Sequence, residues 1–198
     1  MRMFYAIKFA DYVKESLFVN LTEIKKHIMR GSFTEKNNFH ITLVFVGECE
    51  PDKIESLKKA ADNAVNKLNP NLSPVNAVID GLGTFARPGD ELLWAGVKTE
   101  PENKINILRE INNAVIGELA DSEIKINDGN KKFTPHVTIA RRVQFREISG
   151  KDVRQITFTP IDFTIDSLTL MESVQEITAY GEKKYTKIIY KPVYEVKF

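Results

Sequence analysis

Apolar residues recur along the chain with two different periods, and the switches between them lay out its elements. MFYAIKF (3–9) is a dense aromatic and aliphatic run that predicts a strand. Val13, Leu17, Leu21, Ile24 and Ile28 follow at spacings of three and four, predicting a helix that ends at Gly31. NFHITLVFVGE (38–48) predicts a second strand, and Pro51 opens a second helix with the stripe Ile54, Leu57, Ala61, Val65 and Leu68. After the loop NPNLSP (69–74), VNAVIDGLGTF and ELLWAGVKT read as two strands joined across the turn-rich ARPGD.

The second half repeats the theme. Pro101 opens a helix with the stripe Ile105, Leu108, Ile111, Val115 and Leu119, and NDGNK (127–131) predicts a turn before a strand at 133–141. QITFTPIDFTIDSLTLMES carries two β-rich runs interrupted near Pro160, and KKYTKIIYKPVYEVKF ends the chain with further strand-like runs. The sum is an α+β chain with more strands than helices. It suits one domain over residues 1–198, made of two lobes of antiparallel-rich sheet backed by helices. Parallel α/β fits less well, because no helices separate the strands of the late β-rich tail.

Composition narrows the class without naming a chemistry. The 198 residues are 42% hydrophobic and 28% charged, as in an ordinary soluble globular protein. A formal net charge of +1 gives no global attraction to nucleic acid or membrane, so any phosphate-binding surface must be local. Cys49 is the only cysteine, which excludes an internal disulfide and points to a reducing cytoplasm. Lys8 and Asp11 break any apolar leader near the start, and ITLVFVG is far too short to span a bilayer.

Two of the three histidines stand in matching contexts. His40-Ile41-Thr42 and His136-Val137-Thr138 lie about half the chain apart, each on a predicted strand after a helical stripe. Strand alternation puts His40 and Thr42 on one face, with Phe39, Ile41, Leu43 and Phe45 on the other, and His136 and Thr138 on one face, with Val137 and Ile139 turned toward a core. Two residues along a strand span roughly 6.6 Å, so an imidazole and a hydroxyl can reach one small anion. If two lobes face each other about a pseudo-twofold, four side chains surround one tetrahedral phosphorus. Imidazole offers both protonation states near neutrality, so one histidine can take a proton while the other donates one. Threonine hydroxyls suit the non-bridging oxygens, and Arg141 or Arg142 supplies a cation. Simple alternation puts Arg142 on the histidine face; Arg141 needs a bulge or a strand end to reach it. His27, on the first helix, fits neither copy and reads as a boundary residue.

With these motifs and the flanking MRMFYAI, GLGTF, LLWAGV, FTPHVTIAR and LMES, the chain resembles the two-histidine (2H) phosphoesterases. Within them it is most similar to the RNA 2′,3′-cyclic phosphodiesterases, also called 2′-5′ RNA ligase-like proteins. The resemblance implies a bilobal pseudo-twofold fold with both motifs in a central groove. It implies hydrolysis of a 2′,3′-cyclic phosphate end to a 2′-phosphate, without metal or nucleotide cofactor, on RNA ends, short oligonucleotides or cyclic nucleotides. His40 takes the general-acid role, His136 activates water, and Thr42, Thr138 and Arg141 hold the phosphate. Reversal of the ring opening would give a weak 2′-5′ ligation. A site built within one chain makes a monomer the default.

Rival readings lack the residues they need. KINDG (125–129) has one residue too many for the lysine motif of a nucleotidyltransferase, and there is no phosphate-binding Gly-x4-Gly-Lys loop. A metal hydrolase would have to complete its site with carboxylates from elsewhere. Cys49 follows the first motif closely but reads as inert. A non-catalytic RNA-end binder would stack bases on aromatics such as Phe4, Tyr5, Phe9, Phe45 or Phe85.

Overall fold

A computed structural model describes residues 1–68, 74–99, 107–122, 124, 126, 133–146, 152–180 and 183–198, with backbone alone at 87, 178–180 and 183–185. The segment 101–105, the turn 127–131 and all of the loop 69–74 except Pro74 lie outside the described residues. Among the described residues, nine strands and three α-helices follow in order: β1 (Arg2–Lys8), α1 (Asp11–Lys26), β2 (Ile28–Phe33), β3 (His40–Glu48), α2 (Ile54–Leu68), β4 (Val75–Arg87), β5 (Asp90–Thr99), α3 (Ile107–Asp121), β6 (His136–Phe145), β7 (Ile161–Ile165), β8 (Ser167–Tyr180) and β9 (Lys183–Lys197). The class is α+β as the sequence patterns predict, and every strand pair among the described residues is antiparallel. No described helix is long and apolar enough to cross a membrane.

The strands form one curled sheet in the order β7-β4-β5-β6-β3-β1-β8-β9, with β2 added onto β6. The two histidine-bearing strands, β3 and β6, are therefore neighbours at its centre, with three strands beyond each. The two sides do not coincide with the two halves of the sequence. One side (β6, β5, β4, β7) comes from the middle of the chain, and the other (β3, β1, β8, β9) from its two ends.

Helix stripes lie against this sheet. Val13, Leu17, Leu21 and Ile24 of α1 are buried, and α1 packs on β7 and β2. Asn20, buried on the same helix, donates from Nδ2 to the Thr159 carbonyl and accepts from the Thr159 amide, fixing the approach to β7. Helices α2 and α3 pack together and cover the other side, α2 on β8 and β9 and α3 on β3. Tyr5, buried on β1, donates to the Leu57 carbonyl of α2 at 2.7 Å. Asn112, buried on α3, donates to the Leu43 carbonyl of β3 at 2.8 Å, which fixes the strand bearing the first motif.

Two elements differ from their sequence expectation. Ile28 does not continue the first helix; α1 stops at Lys26, and residues 28–33 turn into β2, pairing Ile28 with Phe145 and Ser32 with Arg141. Tertiary pairing along the open side of β6 wins over the helical spacing of Ile28. Near the other end, β9 runs straight through Pro192 at a register shift opposite Met171. It is an edge strand, where a missing N–H costs no ladder bond.

Candidate active site

β3 and β6 meet through a single antiparallel bridge, Ile41 to Val137. These are the central residues of the two His-x-Thr motifs, and both are fully buried. Antiparallel register about that bridge sets His40 across from Thr138 and Thr42 across from His136. Each histidine thus faces the threonine of the other motif, and all four side chains lie half-buried on the face opposite the core.

The two imidazoles are held in the same way. His40 Nδ1 lies 2.7 Å from the Asn38 carbonyl, and His136 Nδ1 lies 2.7 Å from the Thr134 carbonyl. A carbonyl only accepts, so Nδ1 carries the proton in both rings and Nε2 is left as the exchanging nitrogen. His40 Nε2 lies 2.8 Å from Thr42 Oγ1, whose hydroxyl donates to it while the ring is neutral. Aromatic rings enclose both imidazoles. Phe4 and Tyr190 stand 5.1 and 4.9 Å from His40, and Phe85 and Trp94 stand 5.1 and 6.2 Å from His136.

This enclosure sets the electrostatics. Burial pushes His40 down from 6.5 to about 4; the Asn38 carbonyl opposes the shift, while Arg141 and His136 add to it. His136 is lowered too, again by burial first, with the Thr134 carbonyl opposing and Arg141 contributing. Both rings favour the neutral form in the free protein, and Arg141 lies within electrostatic reach of both.

The arginine parity follows from two irregularities in β6. Against β5, Trp94 pairs with Thr138 but Leu93 with Ala140, so Ile139 is an extra residue on β6. Glu91 then pairs with Val143, which leaves a further extra residue, and Arg142 takes a left-handed φ of 54°. The bulges break simple alternation and bring Arg141 and Arg142 to the wall of one cavity, about 300 Å³ in volume, together with His40 and Thr138. Thr42 and His136 are not part of that wall. Arg142 donates from Nη2 to Ser32 Oγ at 3.0 Å.

Several side chains here carry little signal in the sequence. Asn38 donates to the Ile188 carbonyl at 2.7 Å and accepts from the Tyr190 amide at 3.4 Å, fastening β9 beside His40. Trp94 and Tyr190 complete the aromatic enclosures; their parity on amphipathic strands is the only cue to their position. Among the aromatics considered for base stacking, Tyr5 and Phe9 are core residues, the latter edge-on to Phe163. They have no face to offer a base. Phe4 is also buried and packs on His40, Phe45 lies under the Arg2 guanidinium, and half-buried Phe85 abuts His136. His27 caps the C-terminus of α1 near Glu23, away from the motifs. Cys49 is half-buried, and burial pushes its thiol up, away from the thiolate a nucleophile needs. Among the described residues, no three His, Cys, Asp or Glu side chains cluster as a metal site.

Comparison with known proteins agrees with this architecture. Residues 8–188 match the family model of the AKAP7 2′5′ RNA ligase-like domain. A Thermotoga maritima protein named RNA 2′,3′-cyclic phosphodiesterase is 27% identical over 199 residues, covering 100% of this chain and 96% of that protein. One of the same name from Aeropyrum pernix is 30% identical over 168 residues, covering 82% and 84%. Escherichia coli LigT, solved with 3′-AMP, superposes with a TM-score of 0.70 at 21% identity over 99% of this chain and 97% of that one, and shares the fold.

Proposed function

Because the chain belongs to the 2′-5′ RNA ligase-like family of 2H phosphoesterases, we propose that it hydrolyses 2′,3′-cyclic phosphate ends of RNA or nucleotides to 2′-phosphates, with His40 and His136 as the acid–base pair and no metal. The observation that carries this reading is the crossed register of the two motifs, with both Nδ1 atoms on carbonyls and both Nε2 atoms left to exchange protons. Neutral His136 takes a proton from water as its oxygen bonds to phosphorus. The bond from phosphorus to O3′ breaks, and protonated His40 donates to O3′, leaving the phosphate on O2′. Thr42 and Thr138 donate to the non-bridging oxygens, and Arg141 balances the charge that builds there.

His40 resists protonation in the free protein, so the substrate must help to load it. A phosphodiester anion beside the ring favours imidazolium and reverses part of the depression caused by burial. Thr42, bonded to His40 Nε2 in the free state, turns to a phosphate oxygen when that nitrogen receives its proton. A 5′-hydroxyl in place of water would pass through the same steps to a 2′-5′ linkage, a secondary activity.

End-group analysis of RNA carrying a 2′,3′-cyclic phosphate tests the reaction. The expected product is a 2′-phosphate, with turnover abolished and binding largely kept in His40→Ala and in His136→Ala. Full activity in either variant refutes the acid–base pair, and binding without turnover in the unaltered protein would favour an RNA-end binding module.

A further inference from the structure

Among the described residues, Arg142 is the one non-glycine residue with a positive φ. L-residues avoid this region because Cβ crowds the following carbonyl, so its occupation at a binding site marks a constraint imposed by the surroundings. As a consequence, Arg141 and Arg142, consecutive in a strand, line the same cavity instead of opposite faces. Only Arg141 bears on the imidazoles. Arg142 is steered elsewhere, with one N–H committed to Ser32 Oγ and the rest of its guanidinium exposed. Neither arginine forms an ion pair with a carboxylate among the described residues.

The cavity is too large for one phosphate. Its 300 Å³ is in the range of pockets that take a whole small molecule, about 300–1,000 Å³. Its charged lining is Arg141, Arg142, Lys187 and Glu35, and Lys187 pairs with Glu35 at 2.6 Å, so that carboxylate is already neutralised. Two guanidiniums are left for anions, on a chain whose overall charge is only +1. One reacting phosphate accounts for Arg141. We infer that Arg142 binds the internucleotide phosphate next to the cyclic end, making the protein selective for oligonucleotide ends over cyclic mononucleotides. The inference rests on the cyclic-phosphate reaction proposed above and adds a second phosphate subsite to it.

Arg142→Gly is the discriminating variant, because glycine accepts a φ of 54° and removes the cation without backbone strain. The substrates are a mononucleoside 2′,3′-cyclic phosphate, a dinucleotide with the same end, and that dinucleotide with a neutral methylphosphonate linkage. In the unaltered protein, kcat/KM for the dinucleotide should exceed that for the mononucleotide by about tenfold, the worth of one charge-assisted hydrogen bond. Arg142→Gly should bring the ratio close to one, as should the methylphosphonate. Binding of the 2′-phosphorylated dinucleotide should lose about 0.7 from its log–log salt slope in the variant, the share of one phosphate contact on a single strand. An unchanged ratio in Arg142→Gly overturns the inference, and so does an equal loss on both substrates. If the unaltered protein turns over neither substrate, the proposed reaction fails. The binding series, comparing 2′-phosphorylated dinucleotide and mononucleotide, still decides the role of Arg142: loss of the dinucleotide advantage in the variant supports it, and retention overturns it.

Discussion

Burial of the His40 imidazole in its neutral form should make the fold sensitive to acid, and replacing His40 by Asn should remove that part of the sensitivity. An unfolded histidine titrates near 6.5, whereas folded His40 titrates at about 4. Between those values the unfolded chain holds a proton that the native chain refuses. The stabilisation is fully present above pH 6.5 and is lost as pH falls toward 4. The gap of about 2.5 units is worth roughly 3 kcal/mol at 1.36 kcal/mol per unit. Urea titrations of the protein and of His40→Asn at intervals from pH 7.5 to 4 measure it, because titrations common to both cancel in the difference. With a slope of about 2 kcal/mol per molar urea, the midpoint difference should change by about 1.5 M across the range. A difference independent of pH would refute the neutral burial of this ring. Inorganic phosphate should shrink the effect by favouring imidazolium.

Other consequences are equally open to measurement. A Cβ on Gly83 would stand 2.3 to 2.7 Å from Trp94 ring atoms, so Gly83→Ala should cost roughly 1–3 kcal/mol and lower turnover by displacing a wall of the His136 enclosure. Gly117→Ala, where a Cβ meets nothing within 4 Å, should be neutral or stabilising by thermal melting. Asn112→Ala leaves the buried Leu43 carbonyl without its donor and should cost about 1–3 kcal/mol in urea titration. Turnover should survive a strong chelator, and loss restored by added divalent metal would favour the metal-dependent reading. Cys49→Ser should leave turnover of the cyclic phosphate unchanged, and a large loss would reopen a thiol mechanism.

Local pattern carried much of this architecture. The period of two that put Ile41 and Val137 inward and His40, Thr42, His136 and Thr138 outward is the one in the sheet; Val13, Leu17, Leu21 and Ile24 of α1 and Leu57, Ala61 and Val65 of α2 are buried as their spacing predicts, with Ile54 and Leu68 only partly so. What local pattern missed depends on pairing at a distance. Residues 28–33 become a strand only because β6 offers them a free side. The two arginines share a cavity only because extra residues in β6 are accommodated against β5, and no count along the chain reveals where a partner strand will absorb a bulge. Tyr190 reaches His40 through the side chain of Asn38, 152 residues away.

The nesting of the sheet, with its middle block flanked by strands from the two ends, has a bearing on how the chain folds. By the time residue 160 leaves the ribosome, both histidines have been synthesised, yet β1 still lacks β8 and β4 still lacks β7. The apolar strand β1 then waits with one edge unsatisfied for pairings such as Phe4 with Met171. Contacts of such sequence separation slow folding and prolong the exposure of an aggregation-prone edge. The two His-x-Thr motifs are thus made before β7 and β8, the strands that complete the sheet on either side of them.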